Sequence, residues 1–476
     1  MRVLVLALLL PAVALAQDRP SEEDLFGTPP PPPAEKPQGG EAAPQPGTEE
    51  PRRAPPGQED RVGAKLAATE NPLAIGGLLY LRSALSARQG EPPSSWTFTA
   101  PSLLDVYLDA RPTDRIRGFV LGRMQYDPTI DPNATGPFGT APPPVTQVLL
   151  DQLWLRFDVE RVAFLTLGKQ HVKWGTGRFW NPTDYLHAVR RDPLALFDQR
   201  TGTALARVHV PWERLGWNLH AMAILEPLTT SAATGALDPS AQPSPTPSQQ
   251  LGGVGGAARA EIVLGASEIG LGAVVQRGHR PRFALDASGG FSEVDLYGEA
   301  ALKTGSELPL YQEVSPGAFA PYEPSGLTPQ VTAGVRWAHK YSDEDNFEVG
   351  LEGFYNRVGY EDPAIYPTLV VNGAFAPFYV GRAYLGAYGV LPRPGSWNQT
   401  TFVLSAIANL SDGSGVTRLD VSTLLLTYLT LELSGQVRLG DERGEFRLGG
   451  TFDLGGRTFV LHPGTFDLGV GLRLAL

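Results

Sequence analysis

Thr465 to Leu476 constrain this chain more than any other stretch. Phe466, Leu468, Val470, Leu472, Leu474 and Leu476 fall on one face of an extended segment; Asp467, Gly469, Gly471, Arg473 and Ala475 fall on the other. Successive side chains of a strand point to opposite faces, so one side is greasy and the other small or polar. The same period of two recurs upstream. Leu73, Ile75, Leu79, Leu81 and Leu85 share a face, and Leu104, Val106 and Leu108 oppose Asp105, Tyr107 and Asp109. Leu149, Leu153, Leu155 and Phe157 oppose Gln152, Trp154, Arg156 and Asp158. Phe347, Val349 and Leu351 oppose Glu348, Gly350 and Glu352, and Leu429, Leu431 and Leu433 oppose Thr430, Glu432 and Ser434. Each run is a weak signal; their recurrence is the argument. A transmembrane antiparallel barrel requires this pattern on every strand, with apolar faces on lipid and polar faces on the lumen.

The connectors support closure into one sheet. Residues 112–114, 159–161, 211–214, 266–268 and 342–345 are short, whereas 86–102, 127–146, 171–198, 227–251, 304–328 and 359–376 are long and rich in Pro and Gly. Tight turns on one rim and long loops on the other are the barrel arrangement. Counting runs gives sixteen to eighteen strands over residues 73–476, with both ends of the sheet on the tight-turn side. The expected fold class is therefore all-β, a transmembrane antiparallel β-barrel. Tyr80, Trp96, Trp154, Tyr297, Trp337, Tyr355, Tyr384 and Tyr388 lie in or beside the strands. Some would form interfacial girdles, while Trp154 points inward by parity.

The first residues read as an export signal. Arg2 precedes the apolar run Val3 to Leu15, and Ala14-Leu15-Ala16 fits a small-x-small cleavage site, so residues 1–16 are expected to be removed. Residues 17–72 form a Pro-rich segment expected to be disordered in the periplasm. Twelve of the 44 prolines lie between residues 17 and 60, a composition that favours polyproline II over a packed core. Two readings remain for it, a tether to the cell wall and a solvated leader without a partner. There is no cysteine, which excludes disulfides, thiolate metal sites and a lipidated cysteine. The formal net charge of −11 and the lack of clustered bases exclude nucleic acid as a partner.

One block carries a family resemblance. Gly168-Lys169-Gln170-His171-Val172-Lys173-Trp174-Gly175-Thr176-Gly177-Arg178 runs into Phe179-Trp180-Asn181-Pro182-Thr183-Asp184-Tyr185-Leu186. It resembles a motif of porin-like outer-membrane proteins of Gram-negative bacteria, in which a strand ends in G-[KR]-Q and a W-G segment and an N-P-x-D turn open the next loop. It is more distantly similar to alginate-export-type barrels. The resemblance implies an outer-membrane location and no particular solute. The last strand also resembles the signal read by the barrel-assembly machinery, with Leu476 where an aromatic residue is usual.

The residues of the block point the same way. Gly175 and Gly177 permit a tight reversal, Asn181-Pro182 stops a strand, and Asp184 is expected to accept backbone amides in an Asx-type turn. Trp174, Phe179, Trp180 and Tyr185 are too many aromatics for a solvated loop and need a wall to bury against. This third loop is therefore expected to fold inward. Trp174, Arg178, Trp180, Asp184, Arg190 and Arg191 are the expected pore constriction, with Arg156 and Lys169 on the neighbouring pore wall. Residues 151–210 hold nine bases against six acids. Either these bases favour anions, or they pair with Asp184, Asp192 and Asp198 and set no selectivity. Inward Arg117, Arg123 and Arg156 add weight to the first reading.

Other chemistry finds no spacing to support it. The seven histidines show no zinc spacing, and His171 with His187 lacks a carboxylate partner in sequence. No nucleophile elbow or phosphate loop is present. The expectation is a passive channel for small hydrophilic solutes without a cofactor or covalent step. A structural or adhesive barrel is the alternative, and a barrel enzyme a more distant one. Lipid, solutes and the assembly machinery are the expected partners, and a homotrimer is an open alternative.

Overall fold

The computed structural model describes residues 72–134, 142–187, 190–195, 198, 200–225, 254–306, 308–342, 345–454 and 457–475. The expected signal and nearly all of the Pro-rich segment lie outside these residues. The barrel strands are β1 (Leu73–Arg88), β2 (Ser102–Thr113), β3 (Ile116–Tyr126), β4 (Thr146–Val159), β5 (Ala163–Gln170) and β6 (Thr203–Trp212). They continue as β7 (Trp217–Ile224), β8 (Gly255–Leu264), β9 (Ser267–Gln276), β10 (Arg282–Phe291), β11 (Val294–Lys303) and β12 (Gln330–Lys340). The last are β13 (Asn346–Asn356), β14 (Ala383–Pro392), β15 (Thr400–Asn409), β16 (Ser414–Leu426), β17 (Leu429–Gly440) and β18 (Gly464–Ala475).

Each strand pairs antiparallel with the next. β18 then returns to β1, with Leu79 opposite Leu474 and Leu81 opposite Leu472, so the 18 strands close on themselves. Closure leaves no unpaired edge, which a sheet exposed to hydrocarbon cannot tolerate. The stretch 282–303 supplies β10 and β11. The stretch 440–464 instead stays in a loop carrying a small hairpin, Gly450–Leu454 with Arg457–Leu461.

The alternation predicted from sequence sets the two faces. Leu153, Leu155, Leu296, Leu404, Leu468 and Val470 all lie outward and exposed. An apolar surface continuing around every strand is far larger than a soluble monomer carries, and it identifies a transmembrane barrel. Trp337 and Tyr355 are on this outer face, whereas Tyr80, Tyr297, Tyr384 and Tyr388 point inward and are packed. One expected outward residue is turned in. Gly122 pairs with Leu150 while Leu121 pairs with Gln152, so Asp151 is an extra residue, a bulge. The bulge reverses the parity above it, placing Leu149 beside the inward Arg123.

Tight turns join β2 to β3, β4 to β5, β6 to β7 and so on around one rim, where β1 begins and β18 ends. The other rim carries the long connections, except for short ones after β9 and β15. At roughly 4.8 Å between strands and a tilt near 40°, eighteen strands give a backbone cylinder about 35 Å across. Such a lumen is much wider than a small solute unless something fills it.

Candidate functional site: the loop across the lumen

The third loop fills much of that width. It leaves β5 after Gln170 and rejoins the wall at Thr203. Its root is clamped by the bulge residue: Asp151 Oδ1 lies 2.9 Å from His171 Nε2 and accepts the Gly202 amide at 3.1 Å. Asp151 in turn sits 3.6 Å from Arg123, which forks onto Asp105 at 2.8 Å.

The loop then meets the wall in two places. First, Trp174 packs into an apolar cluster with Val172, Tyr185, Leu186, Leu205 and Val274. Gly272 on β9 makes room for it, because a Cβ there would come within 3.2 Å of the Trp174 ring. Second, Phe179 and Trp180 reach β13 and β14. Trp180 stacks on Phe354 with ring centroids 5.5 Å apart and donates from Nε1 to the Phe378 carbonyl at 2.9 Å. The Arg178 guanidinium lies over the Tyr388 ring at 3.8 Å.

Between these contacts the loop backbone is held by two buried glutamates. Glu299 on β11 accepts the amides of Thr176 at 2.6 Å and Gly177 at 2.5 Å, and the Thr183 hydroxyl at 2.7 Å. Glu352 on β13 accepts the amides of Arg178, Phe179 and Trp180 at 2.7, 3.0 and 2.8 Å, and the Tyr297 hydroxyl at 2.8 Å. Consecutive amides pointing one way make a concave anion cradle, and here a wall carboxylate occupies each. Gly175 permits this shape: its φ is +91°, and a Cβ would stand 2.5 Å from the Glu299 carboxylate oxygens.

The structure assigns the sequence-predicted residues different surroundings. Trp174, Trp180 and Asp184 are buried between loop and wall, so they anchor the loop and do not face the passage. Asp184 is not an Asx-turn acceptor. Its carboxylate contacts His187 Nδ1 and Arg200 Nη1, both at 3.0 Å. Burial would raise its pKa, but the charges of His187 and Arg200 outweigh burial and hold it well below the usual carboxylate range. Burial likewise opposes Asp198, which its Arg200 partner lowers to about 2. Arg178, Arg190 and Arg191 are half-buried, and Lys173 and Asp192 are exposed. Arg156 takes an inward position on β4, opposite Arg117 and Thr166. Lys169 does not: it sits level with Leu153 and Ala204 in the outward row, because Thr166, Gly168 and Gln170 take the inward positions of β5.

Sequence reasoning missed Glu299, Glu352 and Asp151 as functional residues. The alternation marks Glu352 as inward, but its amide partners lie 172 to 174 residues away in the chain. No local signal joins them.

Water reaches the rest of the lumen. Inward Arg117 is 38% exposed in its side chain, and the inward pair Arg438–Asp467 is 26% and 21% exposed. The loop is tied to Asp151 on β4 and shares apolar clusters with strands from β6 to the start of β16, so the wall from the rest of β16 through β18 and β1 to β3 faces the remaining opening. That wall carries paired charges: Arg418 with Asp420 at 2.7 Å, Arg473 with Glu432 at 3.0 Å, and Arg438 with Asp467 at 2.7 Å.

No family model and no curated protein matches this chain. Among solved structures it is similar to Acinetobacter baumannii OccAB3, at 8% identity and TM-score 0.49, over 85% of this chain and 99% of that one. It is similar to a BenF-like porin from Pseudomonas fluorescens, at 11% identity and TM-score 0.47, over 84% and 98%. It is also similar to Pseudomonas putida OprB, at 10% identity and TM-score 0.46, over 88% and 97%. At these values the matches add nothing to the barrel that the strand register already defines.

Proposed function

We propose that this chain is a passive outer-membrane channel for small hydrophilic solutes in a Gram-negative cell. The supporting observation is the loop bound to the wall of a closed barrel, opposite a polar wall of paired charges of which Arg438–Asp467 is partly exposed. A bilayer-spanning wall, a polar lumen and a partial plug make a pore whose width the loop sets. The water-facing groups of the constriction are Lys173, Arg178, Arg190, Arg191 and Asp192, and Trp174, Trp180 and Asp184 hold them in place. Residues 1–16 direct export, residues 17–72 lie in the periplasm, and β18 is the element presented to the assembly machinery.

Planar-bilayer recording on refolded protein tests the reading. Discrete conductance steps are expected, and deleting residues 174–190 should enlarge them. Unchanged conductance in the deletion overturns the constriction. Absence of any conductance, with exclusion of small sugars in liposome swelling, favours the structural or adhesive barrel.

A further inference from the structure

Many inward arginines are matched by an acid, and Arg156 and Arg207 are among those of the described residues that are not. Arg156 on β4 and Arg207 on β6 flank Thr166 on β5 in one cross-strand row, Arg156 opposite Thr166 and Thr166 opposite Arg207. Neither arginine forms an ion pair among the described residues. Arg207 Nε is buried and has no hydrogen-bond partner. The acids around them are engaged elsewhere. Asp109 is held by Arg111 and Arg117, Asp158 by Arg115, and Glu261 by Arg259 with His220 3.6 Å away.

The floor of this patch is aromatic. The Arg156 guanidinium lies over the Phe164 ring at 4.9 Å, Phe164 stacks on His209 at 5.8 Å, and His209 stacks on His220 at 4.4 Å. Thr166 lies between the two arginines, and the His209 and His220 Nδ1 atoms are buried without hydrogen-bond partners, so the guanidinium donors share the patch with a hydroxyl and two ring nitrogens. Two strands apart, the arginine Cα atoms are on the order of 10 Å from each other, so both side chains can converge on one small anion. A guanidinium presents a planar fork that matches carboxylate or phosphate oxygens and keeps its charge at any working pH. Unmatched cations on a low-dielectric wall also concentrate anions.

We propose that Arg156 and Arg207 form a binding subsite for the oxyanion group of a small solute, a carboxylate or a phosphate, on the tight-turn side of the inward loop. The assignment rests on the channel reading for its role in passage, but the binding itself can be measured apart from conduction.

The test is isothermal titration of the detergent-solubilised barrel with inorganic phosphate and, separately, with benzoate. Wild-type protein should bind at least one probe. R156Q/R207Q removes both charge-assisted forks and should weaken that binding by at least about tenfold. R115Q removes an arginine already paired at a tight turn and should bind like wild type. R156K/R207K keeps charge and fold but loses the forks, and should also bind more weakly. Binding of phosphate alone or benzoate alone assigns the oxyanion. Failure of both probes to bind, or equal binding by wild type and both double variants, overturns the subsite. Arginine-dependent binding without bilayer conductance would instead remove the channel reading and leave the subsite standing.

Discussion

Replacing Glu352 by alanine should release the tip of the inward loop. Glu352 is 0% exposed, so water does not stand ready to replace its oxygens. The substitution strands three consecutive amide donors, Arg178, Phe179 and Trp180, together with the Tyr297 hydroxyl. Each buried donor left unsatisfied costs roughly 1–3 kcal/mol. Some donors would recover a water through the new cavity, so a net loss of about 4 kcal/mol is reasonable, near a thousandfold in the population of detached loop. The Glu299 cradle and the Trp174 contact remain, so detachment should be local to residues 178–180. In single-channel records E352A should show larger mean conductance and added open-channel noise. Hydrogen exchange at the amides of residues 178–180 should accelerate by orders of magnitude, while strand amides stay protected. A folded E352A barrel with wild-type conductance and wild-type protection at those amides would refute the cradle.

Three further expectations follow from the same geometry. G175A forces a side chain into a left-handed backbone and onto the Glu299 carboxylate; it should destabilise the loop by about 1–3 kcal/mol, read as wider conductance with little change in barrel melting. K169Q should leave ion selectivity unchanged because Lys169 faces outward; a shifted reversal potential would place it in the lumen after all. Glu445, in the loop after β17, accepts from the Tyr384 hydroxyl at 2.6 Å, Asn409 Nδ2 at 2.8 Å and the Phe378 amide, and burial pushes its pKa up to about 8. Between its unfolded value near 4.5 and about 8 the native state holds the proton that the unfolded state has lost, so its stabilisation is full below that window and declines as pH rises through it. Proteolysis of the loop should therefore quicken from pH 5 to about 8, and E445Q should flatten that dependence.

How much was legible differs from residue to residue. The outward row of β18 could be read directly, because lipid demands an apolar side chain at every second position and each position reports its own solvent. The alternation of tight and long connectors could be read for the same reason. Leu149 could not, since one extra residue at Asp151 reverses parity without changing composition. Trp174 and Trp180 announced that the third loop had to bury something. Their sequence did not say that they would be the anchors and not the lining.

The chain's own pattern determined that it forms strands, which face meets hydrocarbon, and that one loop turns inward, since these follow from local periodicity and from aromatics that must leave water. Only the closed barrel decided which carboxylates receive that loop, because Glu299 and Glu352 acquire their amide partners through contacts more than 100 residues distant in the chain. It likewise decided which arginines are matched: a cation's partner is set by cross-strand register, which brings Asp105 to Arg123 and leaves Arg156 and Arg207 on either side of Thr166.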